Sequence, residues 1–278
     1  MAGLSAVPLI AFASPKGGVG KTTLAAHAAA LLARAGHRVV ALDLDPQNAL
    51  RLHLGLDLDA PGAFGARLPE RPAWREALVE TPCGARLLPF GAVDPARAME
   101  LAQALWREPA LLAEPLREML AVPGLVLVAD TPPGPGPALA ALQPLADLQV
   151  LVLLADAGSA AMLPQIAQNR QLGRGTLAAR AAERAAVVLN QVENGVTLSE
   201  AVLEMAEQAL GPRLLGVVCR DEALAEALAD RRMLIEGEPG AGEDLQLLAE
   251  ALAKRLRLPG AGGRARVEPP GLFDWGRM

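Results

Sequence analysis

Short apolar runs, each closing on a polar or acidic residue, recur along the chain. They alternate with longer stretches whose apolar positions fall three and four apart. Runs at 7–13, 38–42, 124–129, 149–155, 185–189 and 214–219 read as strands, and 86–91 as a short strand and turn. Their continuous apolar character belongs to strands covered on both faces. Helical spacing predicts helices over 24–34, 95–107, 109–120, 137–145, 162–172, 199–210 and 243–256. In the last of these, Leu245, Leu248, Leu252 and Leu256 share one stripe, and Lys254 and Arg255 suit the negative end of the dipole. Gly36 is placed to end the first helix. Residues 56–84 read as mostly loop, with a short helix near 74–79. Strand and helix in alternation predict an α/β fold, a mostly parallel doubly wound sheet with helices on both faces. Residues 1–258 are expected to form that domain. From Pro259 the chain turns Gly- and Pro-rich and reaches Leu272, Phe273 and Trp275. Residues 259–278 are therefore expected to be a flexible tail, its aromatic end docking on a partner.

The 278 residues are 52% hydrophobic but only 3% aromatic, with no tyrosine, so the core must be alanine, leucine and valine. Mean hydropathy is +0.26. Lysine and arginine number 26 against 31 acidic residues, a net charge of −5, and the basic residues are scattered. A basic face for nucleic acid is not expected. Cys83 and Cys219 lie far apart and are expected to be reduced and buried. His27, His37 and His53 show no metal-ligand spacing. No secretory leader is recognised, and no apolar run reaches the roughly 18–20 residues of a membrane span. The expected location is the cytoplasm.

Residues 13–23 read A-S-P-K-G-G-V-G-K-T-T, between the first strand and the first helix. Strand, glycine-rich loop and helix are the context a phosphate-binding loop requires. Gly17, Gly18 and Gly20 free the backbone to turn successive N–H groups inward around an anion, at the positive end of the helix. In that motif Lys21 reaches the β- and γ-phosphates and the Thr22 hydroxyl holds Mg²⁺. Two more apolar runs end in acids, at Asp43-Leu44-Asp45-Pro46-Gln47 and at Asp130-Thr131-Pro132-Pro133-Gly134. Alternation puts Asp43 and Asp45 on one side at a carboxyl end, where open α/β sheets bind ligands.

The form K-G-G-V-G-K-T-T, with Lys16 ahead of the glycines and Pro15 where the strict motif has glycine, resembles the deviant Walker A motif of the ParA/MinD family of ATPases. That resemblance implies ATP and Mg²⁺ as cofactors, a loop of Gly17, Gly18, Val19, Gly20, Lys21, Thr22 and Thr23 around the phosphates, and a homodimer enclosing two nucleotides. It implies that Lys16 crosses to the partner's nucleotide and that Asp45 orients the attacking water. Asp43 would support the Mg²⁺ region, and Asp130 would hold the ion through a water. Asn190 would read the adenine edge, with Arg220 and Asp221 near the base.

Stretches 45–53, 130–139 and 220–229 further resemble the cellulose-biosynthesis branch of that family. This implies a regulator or localisation factor for a membrane synthase, recruited to the inner face of the membrane through cellulose synthase subunits. Three alternatives stand beside it. One is a DNA-partitioning ATPase, which the net charge opposes. Another is a MinD-like membrane switch, for which the double-proline tail is a poor helix. The third is a protein in which ATP is only a dimer clamp.

Overall fold

The computed structural model describes residues 7–170, 183–233 and 240–259. Among these, eight strands form one sheet in the order β3-β4-β2-β5-β1-β6-β7-β8. They are β1 (Leu9–Ala13), β2 (Arg38–Asp43), β3 (Val79–Glu80), β4 (Arg86–Leu88), β5 (Leu125–Asp130), β6 (Leu148–Leu154), β7 (Ala185–Val192) and β8 (Leu214–Cys219). All neighbours are parallel except β3, which runs antiparallel to β4.

Both faces of the sheet are covered, as the unbroken apolar runs require. On β1, Ile10 and Phe12 join one core and Leu9 and Ala11 the other. The first core lies under α1 (Lys21–Arg34), α2 (Leu50–His53) and α9 (Ala241–Arg255). On the opposite face, α3 (Pro95–Arg107), α4 (Ala110–Leu120) and α5 (Pro137–Leu142) pack over β1, β2 and β5. Beside them α6 (Ala157–Ala167) and α7 (Thr197–Leu210) pack over β6 and β7. A last short helix, α8 (Glu222–Ala229), follows β8. The alanines of α1 (Ala25, Ala26, Ala28, Ala29 and Ala30) are buried, which lets this helix sit between the sheet and α9 with little side-chain bulk. On α9 the stripe of Leu245, Leu248 and Leu252 is buried as its spacing predicts.

The parallel sheet with helices on both faces matches the expectation, and four local readings are corrected. No helix forms near 74–79. Trp74 is buried, residues 74–77 are a turn, and Val79 is drawn into pairing with Leu87. The helix expected from 162 starts at Ala157, because the Asp156 carboxylate accepts the Ser159 N–H and caps it there. It ends at Ala167, residues 168–170 are turn and coil, and the last expected positions, 171–172, lie outside the described residues. The strand expected to end at Leu189 continues to Val192, so Asn190 is a strand residue paired with Leu154 and Val218. Both cysteines are free but only half-buried. Of the tail expected over 259–278, Pro259 is described and exposed, and 260–278 with the aromatic end lies outside the described residues.

The long connection after β2 is held by side chains of the 45–53 stretch. Buried Arg51 donates to the carbonyls of Leu58, Ala60 and Gly62. Asn48 accepts the Gly91 N–H at 3.0 Å.

Candidate functional site

In the sheet order β1 is flanked by β5 and β6, so connections diverge to either side of its carboxyl end. That is the crevice where doubly wound sheets bind ligands. The loop 14–20 leaves β1 there and feeds α1. Gly18 (φ 74°) and Gly20 (φ 81°) take the left-handed conformation that lets consecutive amides face inward, whereas Gly17 does not. A Cβ on Gly20 would lie 2.3 Å from Asn190 Nδ2. The loop encloses a cavity of about 180 Å³, walled also by Lys21, Thr22, Thr23, Asp45, Gln47, His53 and Pro133.

Residues distant in sequence meet beneath this cavity. Because β2 and β5 are neighbours in register, Asp43 and Asp130 stand side by side. The buried Lys21 ammonium pairs with one Asp130 oxygen, and the Thr22 hydroxyl donates to the other at 2.7 Å. Burial raises the Asp130 carboxyl above the ordinary range, against the opposing pull of Lys21 and Thr22. Burial, then repulsion from Asp130, holds the Asp43 carboxyl well above that range. Asp43 is committed to the turn that follows it, accepting from Asp45 N–H at 3.0 Å and Leu50 N–H at 3.1 Å. Asp45 reaches the cavity wall, and its carboxylate accepts the Gln47 N–H at 3.0 Å.

A hydroxyl and a carboxylate meeting beside the glycine loop are hard oxygen donors of the kind Mg²⁺ takes. Thr22 and Asp130 therefore fit that ion. Asp43, beside Asp130, accepts one N–H on each oxygen and keeps further lone pairs on both.

Lys16 lies half-exposed at the rim and forms an ion pair with Asp156 at the start of α6. Asn190 is buried behind the loop, its amide donating to the Val19 carbonyl at 2.8 Å. Its amide nitrogen thus braces the loop backbone. Arg220 pairs with Glu193, and Asp221 accepts from the N–H groups of Ala223 and Ala241, so both serve the β8–α8 junction. Neither lines the phosphate cavity.

Two site residues escaped the sequence reading. Asp156 had a usable signal, since β6 is another apolar run leading to an acid. His53 had none, because only the turn after β2 brings α2 against the loop. Burial, with His27 and Lys21 nearby, lowers the His53 pKa to about 4, so its imidazole is neutral. Among the described residues no group of three or more His, Cys, Asp or Glu side chains forms a metal cage of its own, and no helix is long and apolar enough to cross a membrane.

Comparison with known proteins places these features. The profile of the family described as "Cellulose biosynthesis protein BcsQ" matches residues 7–252. BcsQ of Salmonella typhi is 28% identical over 229 residues, covering 80% of this chain and 83% of that protein. The chromosome-partitioning ATPase Soj of Thermus thermophilus is 42% identical over 109 residues, 39% of this chain and 41% of its own. Among solved structures, the septum site-determining protein MinD of Pyrococcus horikoshii, complexed with Mg-ADP, superimposes with a TM-score of 0.69 at 22% identity. The match covers 89% of this chain and 96% of that one.

Proposed function

The chain belongs to the BcsQ family, within the ParA/MinD-type P-loop ATPases, and from that premise we propose that it is a slow, ATP-driven dimerising switch regulating or localising bacterial cellulose synthesis. The observation that supports this best is the convergence of Lys21, Thr22 and Asp130 beneath the glycine loop, with Asp45 on the wall of the same cavity.

In this reading the amides of Gly17 to Thr23 and the α1 N-terminus hold the triphosphate of ATP. Lys21 exchanges Asp130 for the β- and γ-phosphate oxygens. Asp130 and the Thr22 hydroxyl are then free to hold Mg²⁺, which when bound neutralises charge building on the phosphates. Asp45, its carboxylate fixed by the Gln47 amide, orients the attacking water. Lys16 leaves Asp156 and contacts the nucleotide of a second copy. Asn190 keeps the loop in shape through the Val19 carbonyl, and the family resemblance assigns it the adenine edge as well. The partner is a cellulose synthase subunit, and the protein acts in the cytoplasm at the inner face of the membrane.

A partitioning role has the Soj similarity in its favour, but that covers 39% of the chain. The net charge of −5 weighs against it.

The deciding experiment compares two variants by light scattering and ATP turnover. Lys16→Ala is expected to bind ATP as a monomer. Asp45→Ala is expected to accumulate as an ATP-bound dimer that hydrolyses poorly. Normal pairing of Lys16→Ala would overturn the dimer mechanism. Cellulose output unaffected by deletion of the gene would overturn the pathway.

A further inference from the structure

Sharing Ser14 with the phosphate cavity is a larger cleft of about 900 Å³, which the proposed mechanism does not use. Its walls include Trp106 of α3, Pro135 and Pro137 ahead of and within α5, Leu139 of α5, Leu151 of β6 and Met162 of α6. No charged side chain lines it. Its polar lining is Ser14, Gln143 and Gln149. Ser14 is 3% exposed, and its hydroxyl has no hydrogen-bond partner among the described residues. Gln149 is equally buried, and its amide oxygen meets the Gln143 amide nitrogen only at 3.5 Å. Trp106 stands 70% exposed at the edge.

Buried hydroxyls in native proteins are nearly always paired, so an orphan on the wall between two cavities calls for an occupant in one of them. Gln143 and Gln149, which line the cleft and not the phosphate cavity, set further polar groups on the cleft side. The volume lies within the roughly 300–1,000 Å³ typical of ligand pockets, and apolar walls with a few convergent polar groups are their usual chemistry. An ion entering a cleft without a counter-charge would lose hydration for nothing, so the occupant is neutral. We propose that this cleft is a second ligand site, for an uncharged, largely apolar small molecule whose hydrogen-bonding head group meets Ser14, Gln143 and Gln149, and that its occupancy is coupled to the phosphate cavity.

The coupling follows from shared walls. Ser14 lines both spaces, and Pro133 of the phosphate cavity continues directly into the cleft wall at 134–137. The Gly134 N–H donates to the Ser14 carbonyl at 2.7 Å, tying that wall to the loop. Whatever moves 133–137 on one side alters the other, and the effect on affinity is reciprocal. The binding half of the proposal stands without the nucleotide reading, and the coupling half rests on it.

The test uses prodan, an uncharged aromatic ketone whose emission shifts to the blue in apolar surroundings, with full-length nucleotide-free protein. Saturable, blue-shifted binding at one dye per chain is expected. Ala140→Trp and Met162→Trp, which fill the cleft from α5 and α6, should each weaken it at least about tenfold. Saturating AMPPNP with Mg²⁺ should change prodan affinity by about threefold or more, and prodan should change AMPPNP affinity by the same factor. Non-saturable binding, or wild-type affinity in both tryptophan variants, overturns the site. Equal prodan affinity with and without bound AMPPNP overturns the coupling. Loss of prodan only where AMPPNP drives pairing assigns the cleft to a second copy of the chain and also overturns the proposal. Failure of AMPPNP to bind sinks the nucleotide reading, and the coupling with it, while leaving the prodan isotherm standing.

Discussion

If Lys16 serves the nucleotide of a second copy, it must first leave Asp156, and the structure sets how much that costs. The two side chains are 40% and 39% exposed. A pair so accessible contributes about 0.2–1 kcal/mol, its Coulomb attraction being largely cancelled by hydration and side-chain entropy. Each dimer breaks two such pairs, so the cost is about 0.4–2 kcal/mol, a factor of roughly 2 to 30 in the dimer dissociation constant. Asp156→Asn removes the charge and keeps an acceptor for the Ser159 amide, since asparagine caps helices about as well as aspartate. The variant should therefore dimerise more tightly with AMPPNP and Mg²⁺, by up to about thirtyfold, with α6 intact. Sedimentation across a protein concentration series measures this directly. Repeating it at about 50 and 500 mM salt adds a check, because screening should shrink the gap between the variant and the parent protein. A variant that dimerises no better than the parent at either salt would show that the pair does not restrain Lys16, and weaker dimerisation would mean Asp156 itself contributes to the interface.

Lys21→Ala should abolish tight ATP binding and also destabilise the fold by about 3–5 kcal/mol, because Asp130 is left buried without its cation. Urea unfolding of Lys21→Ala and of Lys21→Ala with Asp130→Asn checks this, the second change recovering much of the loss. His53 yields a pH dependence. Its folded pKa of about 4 lies below the ordinary 6.5, so between those values the unfolded chain binds the proton and the folded chain does not. Stability from this group is thus complete above about pH 6.5 and declines as pH falls towards 4, by at most about 3 kcal/mol and less for its exposed part. His53→Gln should flatten that slope in urea midpoints, and an unchanged slope would place the titration elsewhere. Random duplex DNA should not bind usefully at about 150 mM salt, since scattered basic residues neutralise few phosphates at once. ATP-dependent gel shifts at micromolar protein would contradict this.

The phosphate loop and the strands leading to it were legible in the chain because their signals are local. A glycine-rich turn between an apolar run and a helix needs no knowledge of the rest of the molecule, and strands covered on both faces cannot hide their composition. Asp45 and Asp130 were likewise legible as acids closing apolar runs. What tertiary structure decided was which of these acids face each other. β5 inserts between β1 and β2, and that strand order, invisible in any window of sequence, sets Asp43 beside Asp130 and Asp130 under Lys21, 109 positions away. The same non-local packing turned Asn190 towards the Val19 carbonyl and gave Lys16 its partner in Asp156. It also brought His53 to the cavity wall. Local backbone preference sets where a strand or loop forms. The choice of neighbours depends on how two faces of one sheet bury their apolar area together, and only the folded chain resolves that.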